Sequence, residues 1–171
     1  MSTKAGWAEP GFIMSQPRIQ KVAGFNYFYC EKKQVLELDA GPVWKALVPI
    51  VQAAYVQEFD ELELPPLLVM FIEYPDNPKL YDVQVGYGLQ RRVIPYGEAQ
   101  VRRIKATLVV GILAWGTIAS VPYTYDTLCA FMGNCGYPGG REWREWQVYN
   151  DKIPSSHNSI VWIQHDLKEK V

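Results

Sequence analysis

Glu145, Gln147 and Tyr149 occupy every second position of REWREWQVYND, residues 141–151. In an extended strand such residues share a face and stand about 7 Å apart. That face would carry a carboxylate, an amide and a phenol in a row, while Trp146, Val148 and Asn150 point the other way. A buried carboxylate near aromatic rings favours a flat organic cation, and each ring–cation contact adds about 0.5–2 kcal/mol. An amide supplies no charge but can hydrogen-bond a neutral ligand. The same residues can do acid–base work: Glu145 would activate water as a general base, with Tyr149 donating or orienting. Glu145 alternatively lies near the strand end and is wet, with Gln147 paired to a polar neighbour. The partner strand of the first half, LLVMFIEY, offers Met70, Ile72 and Tyr74 on its matching face, and Tyr87 lies on the apolar side of the next strand.

Other chemistry is thinly represented. His157 and His165 lack the helical i, i+4 spacing of a zinc protease, and Cys129 and Cys135 are not at metal-knuckle spacing. The glycines of GNCGYPGG close a helix and are not followed by the Lys-Ser/Thr of a phosphate-cradling loop. No Gly-x-Ser-x-Gly elbow is present. No metal and no cofactor are therefore expected. The acidic DELELPP turn reads as a solvated loop.

The elements that must position these residues follow from pattern. RIQKVAGFNYFYC, from Arg18, reads as a strand. In GPVWKALVPIVQAAYVQEF the residues Trp44, Leu47, Val48, Val51, Ala54 and Tyr55 recur at helical spacing, with Gly41-Pro42 at the start and Pro49 as a kink or break. LLVMFIEY and YDVQVGYGL are strands joined by YPDNPK turn chemistry. The order β-α-β-β then recurs: VRRIKATLVVGILAW alternates, VPYTYDTLCAFM carries Val121, Tyr125, Leu128 and Met132 at helical spacing, and EWREWQVY and SIVWIQHDL are strands. Pro42 with Pro122, Tyr74 with Tyr149 and Asp76 with Asp151 are separated by 80, 75 and 75 residues, as in a repeated unit with drifting loops. The expected fold class is α+β: an irregular arm over 1–17 and one domain over 18–168, with repeats 18–90 and 100–168 about a pseudo-twofold axis. A crevice between two such halves is a usual ligand site.

Composition bounds the partners. The chain has 171 residues, 49% hydrophobic and 20% charged, which suits one globular domain and argues against disorder. Six Trp and eleven Tyr supply flat rings for a core or a pocket. A net charge of −1 offers no basic face for nucleic acid. Arg91-Arg92 and Arg102-Arg103 with Lys105 read as decoration of strand ends. No apolar run reaches the roughly 18–20 residues of a membrane span. The N-terminus lacks a secretory pattern and the three Cys are an odd number, so reduced thiols in the cytoplasm are expected.

Over roughly residues 18–168 the chain resembles the GyrI-like family, the effector-binding domain of multidrug-responsive transcription regulators. The resemblance rests on the duplicated β-α-β-β order and on AWGTIASVPYTYDTLCAFM, EWQVYND and SIVWIQHDL. It implies binding of bulky, flat, often cationic organic compounds between the two halves. It also implies two alternatives: hydrolysis of cyclopropane-bearing genotoxins by a pocket glutamate with aromatic support, or modulation of gyrase through protein interaction. With only the arm 1–17 ahead of the domain, a stand-alone binder is implied. The family's pocket glutamate maps onto Gln147; a register shift of two would make Glu145 its equivalent. Tyr149 maps onto the family tyrosine, and Trp115, beside Gly116, maps onto the pocket wall.

Overall fold

The computed structural model describes residues 13–61, 63–116, 121–149 and 159–168. In chain order the described elements are β1 (Ile13–Met14), β2 (Arg18–Val22), β3 (Phe25–Leu36), α1 (Ala40–Phe59), β4 (Leu67–Tyr74), β5 (Asn77–Leu89), β6 (Gln100–Ile104), β7 (Thr107–Gly116), α2 (Val121–Met132), β8 (Gly139–Tyr149) and β9 (Ser159–Leu167). All nine strands belong to one sheet, ordered β1-β7-β9-β8-β4-β5-β3-β6, with β2 also on β7. The pairings are antiparallel. The expected α+β duplication is thus present: β3-α1-β4-β5 is followed by β7-α2-β8-β9. In space the first unit lies β3-β5-β4 and the second β8-β9-β7, so a pseudo-twofold axis passes through the central β4–β8 pair.

Two single strands expected from sequence are each divided. Arg18–Val22 leaves the first half to pair with β7, and the chain turns at Ala23-Gly24 before β3 begins. In the second half β6 pairs with β3, and the chain turns at Lys105-Ala106 into β7. Each half therefore lends an edge strand to the other. The arm is not wholly irregular either. Ile13 and Met14 pair with Trp115 and Ala114, and the Ser15 N–H donates to the Leu113 carbonyl at 2.8 Å.

α1 follows the stripe that predicts it. Val51, Ala54 and Tyr55 are buried, with Trp44, Leu47, Val48 and Phe59 packed beside them. Pro49 sits inside the continuous helix, which ends at Asp60 in the left-handed region (φ 51°). α1 lies on β3 and β5, and α2 lies on β7. Both helices are on one face of the sheet, here the front. The first front core holds Phe28, Val69, Val83, Val85 and Tyr87; the second holds Val110, Ile112, Leu128, Trp143, Val161 and Ile163. Phe71 and Tyr81 pack against both. β4 and β8 thus lie between the strands that carry the two helices, and this strip of the front face is termed the groove.

The reverse face carries no helix among the described residues, yet Tyr27, Leu68 and Met70 are fully buried there. The sheet curls over itself to achieve this. Phe25 on β3 reaches Trp146 on β8, with ring centroids 5.4 Å apart, although two strands lie between. Glycines on β5 permit the curl. A Cβ on Gly86 would stand 1.9 Å from the Phe28 carbonyl oxygen, and one on Gly88 would meet the Phe25 and Trp146 rings at 2.9 Å. Among the described residues no helix is long and apolar enough to cross a membrane.

Candidate functional site: the groove over strands β4 and β8

Register decides which side chains share the groove. Leu67, Val69 and Phe71 on β4 stand opposite Gln147, Glu145 and Trp143 on β8. Directly opposed residues of an antiparallel pair project to the same side. Val69, Phe71 and Trp143 pack under the helices, so this row is on the front. On the far side of β8, Glu145 faces Ile163 and Gln147 faces Val161. Both polar residues are thus set in an apolar floor.

Glu145 is the central charged group, 8% exposed. Its Oε2 accepts the Tyr125 hydroxyl of α2 at 2.6 Å. Among the described residues no Lys or Arg pairs with it. Burial therefore dominates and pushes its carboxyl up to about 7, with the Tyr125 hydrogen bond pulling the other way. The Tyr125 phenol is raised well above its usual range by the same burial and by the nearby carboxylate. A carboxyl of this kind changes charge near neutrality, which suits either a counter-charge or a general base.

The wall around it is rigid. The Trp143 indole N–H donates to Glu73 Oε1 at 2.6 Å. Its ring lies 5.0 Å from Tyr125 and 4.2 Å, edge to face, from His165. Gln147 is 6% exposed, and its Oε1 meets no hydrogen-bond donor. Across Leu67 lies Tyr87, its ring centroid 4.8 Å from that of Tyr55 of α1 and tilted by 52°. The Tyr87 hydroxyl is also buried and makes no hydrogen bond of sound geometry; burial pushes it up to about 12, opposed in part by the Gln52 amide.

The residues expected from sequence divide into those this groove gathers and those it does not. Glu145, Gln147 and Tyr87 share the front face. The side chain of Tyr149 lies outside the described residues. Met70 and Ile72 are on the reverse face, opposite Arg144 and Glu142. The cause is register: β4 meets β8 with Leu67, Val69 and Phe71, not Met70 and Ile72, opposite the row that holds Gln147, Glu145 and Trp143. Tyr74 itself hydrogen-bonds Asp82 at the hairpin end. Trp115 alternates with Ala114 and Ile112, and Ile112 packs in the α2 core, so the tryptophan also points to the reverse. The wet reading of Glu145 is overturned by its burial.

Tyr125 was a core position on sequence grounds, one of a helical stripe. Its role as partner to Glu145 has no local signal, because it depends on how α2 lies over β8. Leu67, Val69 and Phe71 replace Met70, Ile72 and Tyr74 as the apolar wall.

Two other places hold polar groups. An open cavity of about 820 Å³ lies at the end of α1, lined by Tyr55, Leu64, Pro65, Leu89 and Arg91 among others. Its polar groups satisfy one another: Tyr55 donates to Glu61 at 2.7 Å, and Arg91 reaches Glu61 at 2.9 Å. It contains neither Glu145 nor Gln147. On the reverse face Arg102 donates to Gln84 and reaches Glu142 at 3.5 Å, and Arg144 reaches Glu142 at 3.2 Å. Among the described residues no group of His, Cys, Asp and Glu is arranged to hold a metal ion.

Neither a family model nor a curated protein matches the chain by sequence. Solved structures do match its fold. The C-terminal domain of EcmrR superposes with a TM-score of 0.71 at 14% identity, over 91% of this chain and 98% of that one. SAV2435, solved bound to tetraphenylphosphonium, gives 0.68 at 12% identity, over 90% and 94%. A hydrolase from Listeria innocua gives 0.56 at 12% identity, over 90% and 92%. The class defined by this architecture is the GyrI-like α+β fold. At these identities the likeness speaks for the fold; function has to be argued from the groove.

Proposed function

We propose that the chain binds flat, hydrophobic aromatic small molecules, cationic ones included, in the groove over β4 and β8. Glu145 is the counter-charge, Trp143 and Phe71 are the ring-bearing wall, and the role is sequestration or sensing in the cytoplasm. One observation carries this reading: a nearly buried carboxylate that accepts a hydrogen bond from a phenol and, among the described residues, has no cation beside it. A buried, unpaired carboxylate is costly, and an organic cation resting against the rings would lower that cost. The phosphonium held by SAV2435, a protein of the same fold, supports the ligand class.

A panel of planar dyes, cationic and neutral, titrated against the intrinsic tryptophan fluorescence tests it. Saturable quenching in the micromolar range is expected, with cations ahead of neutral analogues at pH 8. Absence of binding by every dye up to about 100 μM contradicts it.

A second reading is favoured by the raised pKa of buried Glu145, which suits a general base near pH 7. The chain would then hydrolyse electrophilic, cyclopropane-bearing compounds, with Glu145 taking the proton of the attacking water. Product formation that disappears in Glu145→Gln supports this reading, and binding without product removes it.

A further inference from the structure

Gln147 is a polar group that the groove leaves unfinished. It is nearly buried, and among the described residues its Oε1 meets no donor. Its cross-strand neighbours are Leu67 and Val161, neither of which has a side chain able to donate. It projects on the same face as Glu145, one side-chain step along the strand, or about 7 Å. A buried carbonyl oxygen loses its water on folding, so it gains most from a ligand that brings a donor. A cation without N–H or O–H groups can meet Glu145 but leaves Gln147 unmet.

We propose that Gln147 sets the specificity of the groove, selecting flat aromatic ligands that carry N–H donors, such as amino-substituted heteroaromatic cations, over alkylated cations of the same ring and charge. The inference rests on the groove reading above and adds the donor requirement. Glu145 fixes where charge sits; Gln147 Oε1 accepts a hydrogen bond from an amino group on the same ligand. A site built around an unmet hydrogen-bonding group rejects analogues that lack the partner more strongly than an apolar site rejects a change of size.

Proflavine and acridine orange make the test. They share the acridine ring and are both cationic at pH 8, but every amino N–H of the first is a methyl group in the second. Their affinities for the full chain are measured by fluorescence titration, in the native protein and in Gln147→Leu. Native protein is expected to hold proflavine about tenfold more tightly, the value of one buried hydrogen bond. In Gln147→Leu the ratio should fall to about one, through loss of proflavine affinity alone. Gln147→Met, which also lacks the acceptor, replaces the leucine variant if far-UV circular dichroism shows the latter unfolded. Equal native affinities overturn the inference and leave the groove reading standing. A preference that persists in the variant also overturns it, because methyl bulk and not Gln147 would then be responsible. Failure of both dyes to bind native protein overturns the groove reading and the inference together.

Discussion

Arg144 and Glu145 are consecutive, oppositely charged and nearly buried, and they face opposite sides of one sheet. Their surroundings differ in kind. On the reverse face two guanidinium groups, Arg102 and Arg144, converge on Glu142, and Arg102 lies 5.7 Å from the rings of both Tyr27 and Tyr29. Each buried charge there meets an opposite charge, although Arg144 Nε and Nη1 find no partner among the described residues. On the front face Glu145 has a phenol and apolar neighbours, and Gln147 Oε1 has no partner. The reverse face is closed by the curl of the sheet, while the front is covered by two helices with a groove between them. The front is set apart by a buried carboxylate that meets no cation among the described residues, whereas the buried charges of the reverse face are paired by opposite charge.

The largest effect should come from preventing the curl. Gly86→Val puts side-chain atoms into the β3 backbone, where a Cβ alone would stand 1.9 Å from an oxygen. A loss of more than about 4 kcal/mol, or failure to fold, is expected in urea denaturation. A change under about 1 kcal/mol would show that the reverse face is not held by close approach at this strand.

Glu145→Gln is next, and it stabilises. Burial raises the folded-state pKa of Glu145 from 4.5 to about 7. A raised value means that the folded form holds its proton more tightly than the unfolded chain does. Its contribution is fully present below about pH 4.5 and is lost as pH rises through about 7. The ionised group then costs about 3 kcal/mol, of which Glu145→Gln should recover most at pH 8 and nothing at pH 4. Equal stability changes at both pH values would contradict the assignment.

Tyr125→Phe should do the reverse on a smaller scale. It removes the hydrogen bond to the carboxylate and should destabilise by about 1–2 kcal/mol at pH 8, while moving the Glu145 titration to higher pH. Carboxyl titration followed by NMR would show an unmoved midpoint if this bond were unimportant. Arg144→Met should matter least. Its Nε and Nη1 have no partner, and Glu142 keeps Arg102. Replacement of a buried ion by an apolar chain of similar volume is often near neutral, so a shift within about 1 kcal/mol is expected on thermal melting.

The β-α-β-β order was readable because alternation and helical periodicity are local, as in Trp44 to Tyr55 of α1. The divided strands were not readable. Ala23-Gly24 and Lys105-Ala106 are short turns inside continuous β-rich runs, and their exchange of edges is a pairing between halves. Glu145 and Gln147 share one face as alternation predicts, because the pairing of β8 with β9 is regular from Trp143 to Gln147 and shifts only outside that stretch. Met70 and Ile72 fall on the other face because the register of β4 against β8 decides which residues share a side, and register between distant strands leaves no local mark in the sequence. Trp115 was placed on the pocket wall by likeness to a motif, and its strand parity turns it away.

The central claim is that Glu145 supplies the charge that holds a cation in the groove. Tetraphenylphosphonium keeps its charge at every pH, so its affinity between pH 6 and pH 8, in native protein and in Glu145→Gln, reports on that carboxylate. Ionisation centred near 7 predicts native affinity rising roughly tenfold across that interval, because only the ionised fraction is competent, and a flat profile in the variant. A flat native profile, or a rise that survives Glu145→Gln, would contradict it.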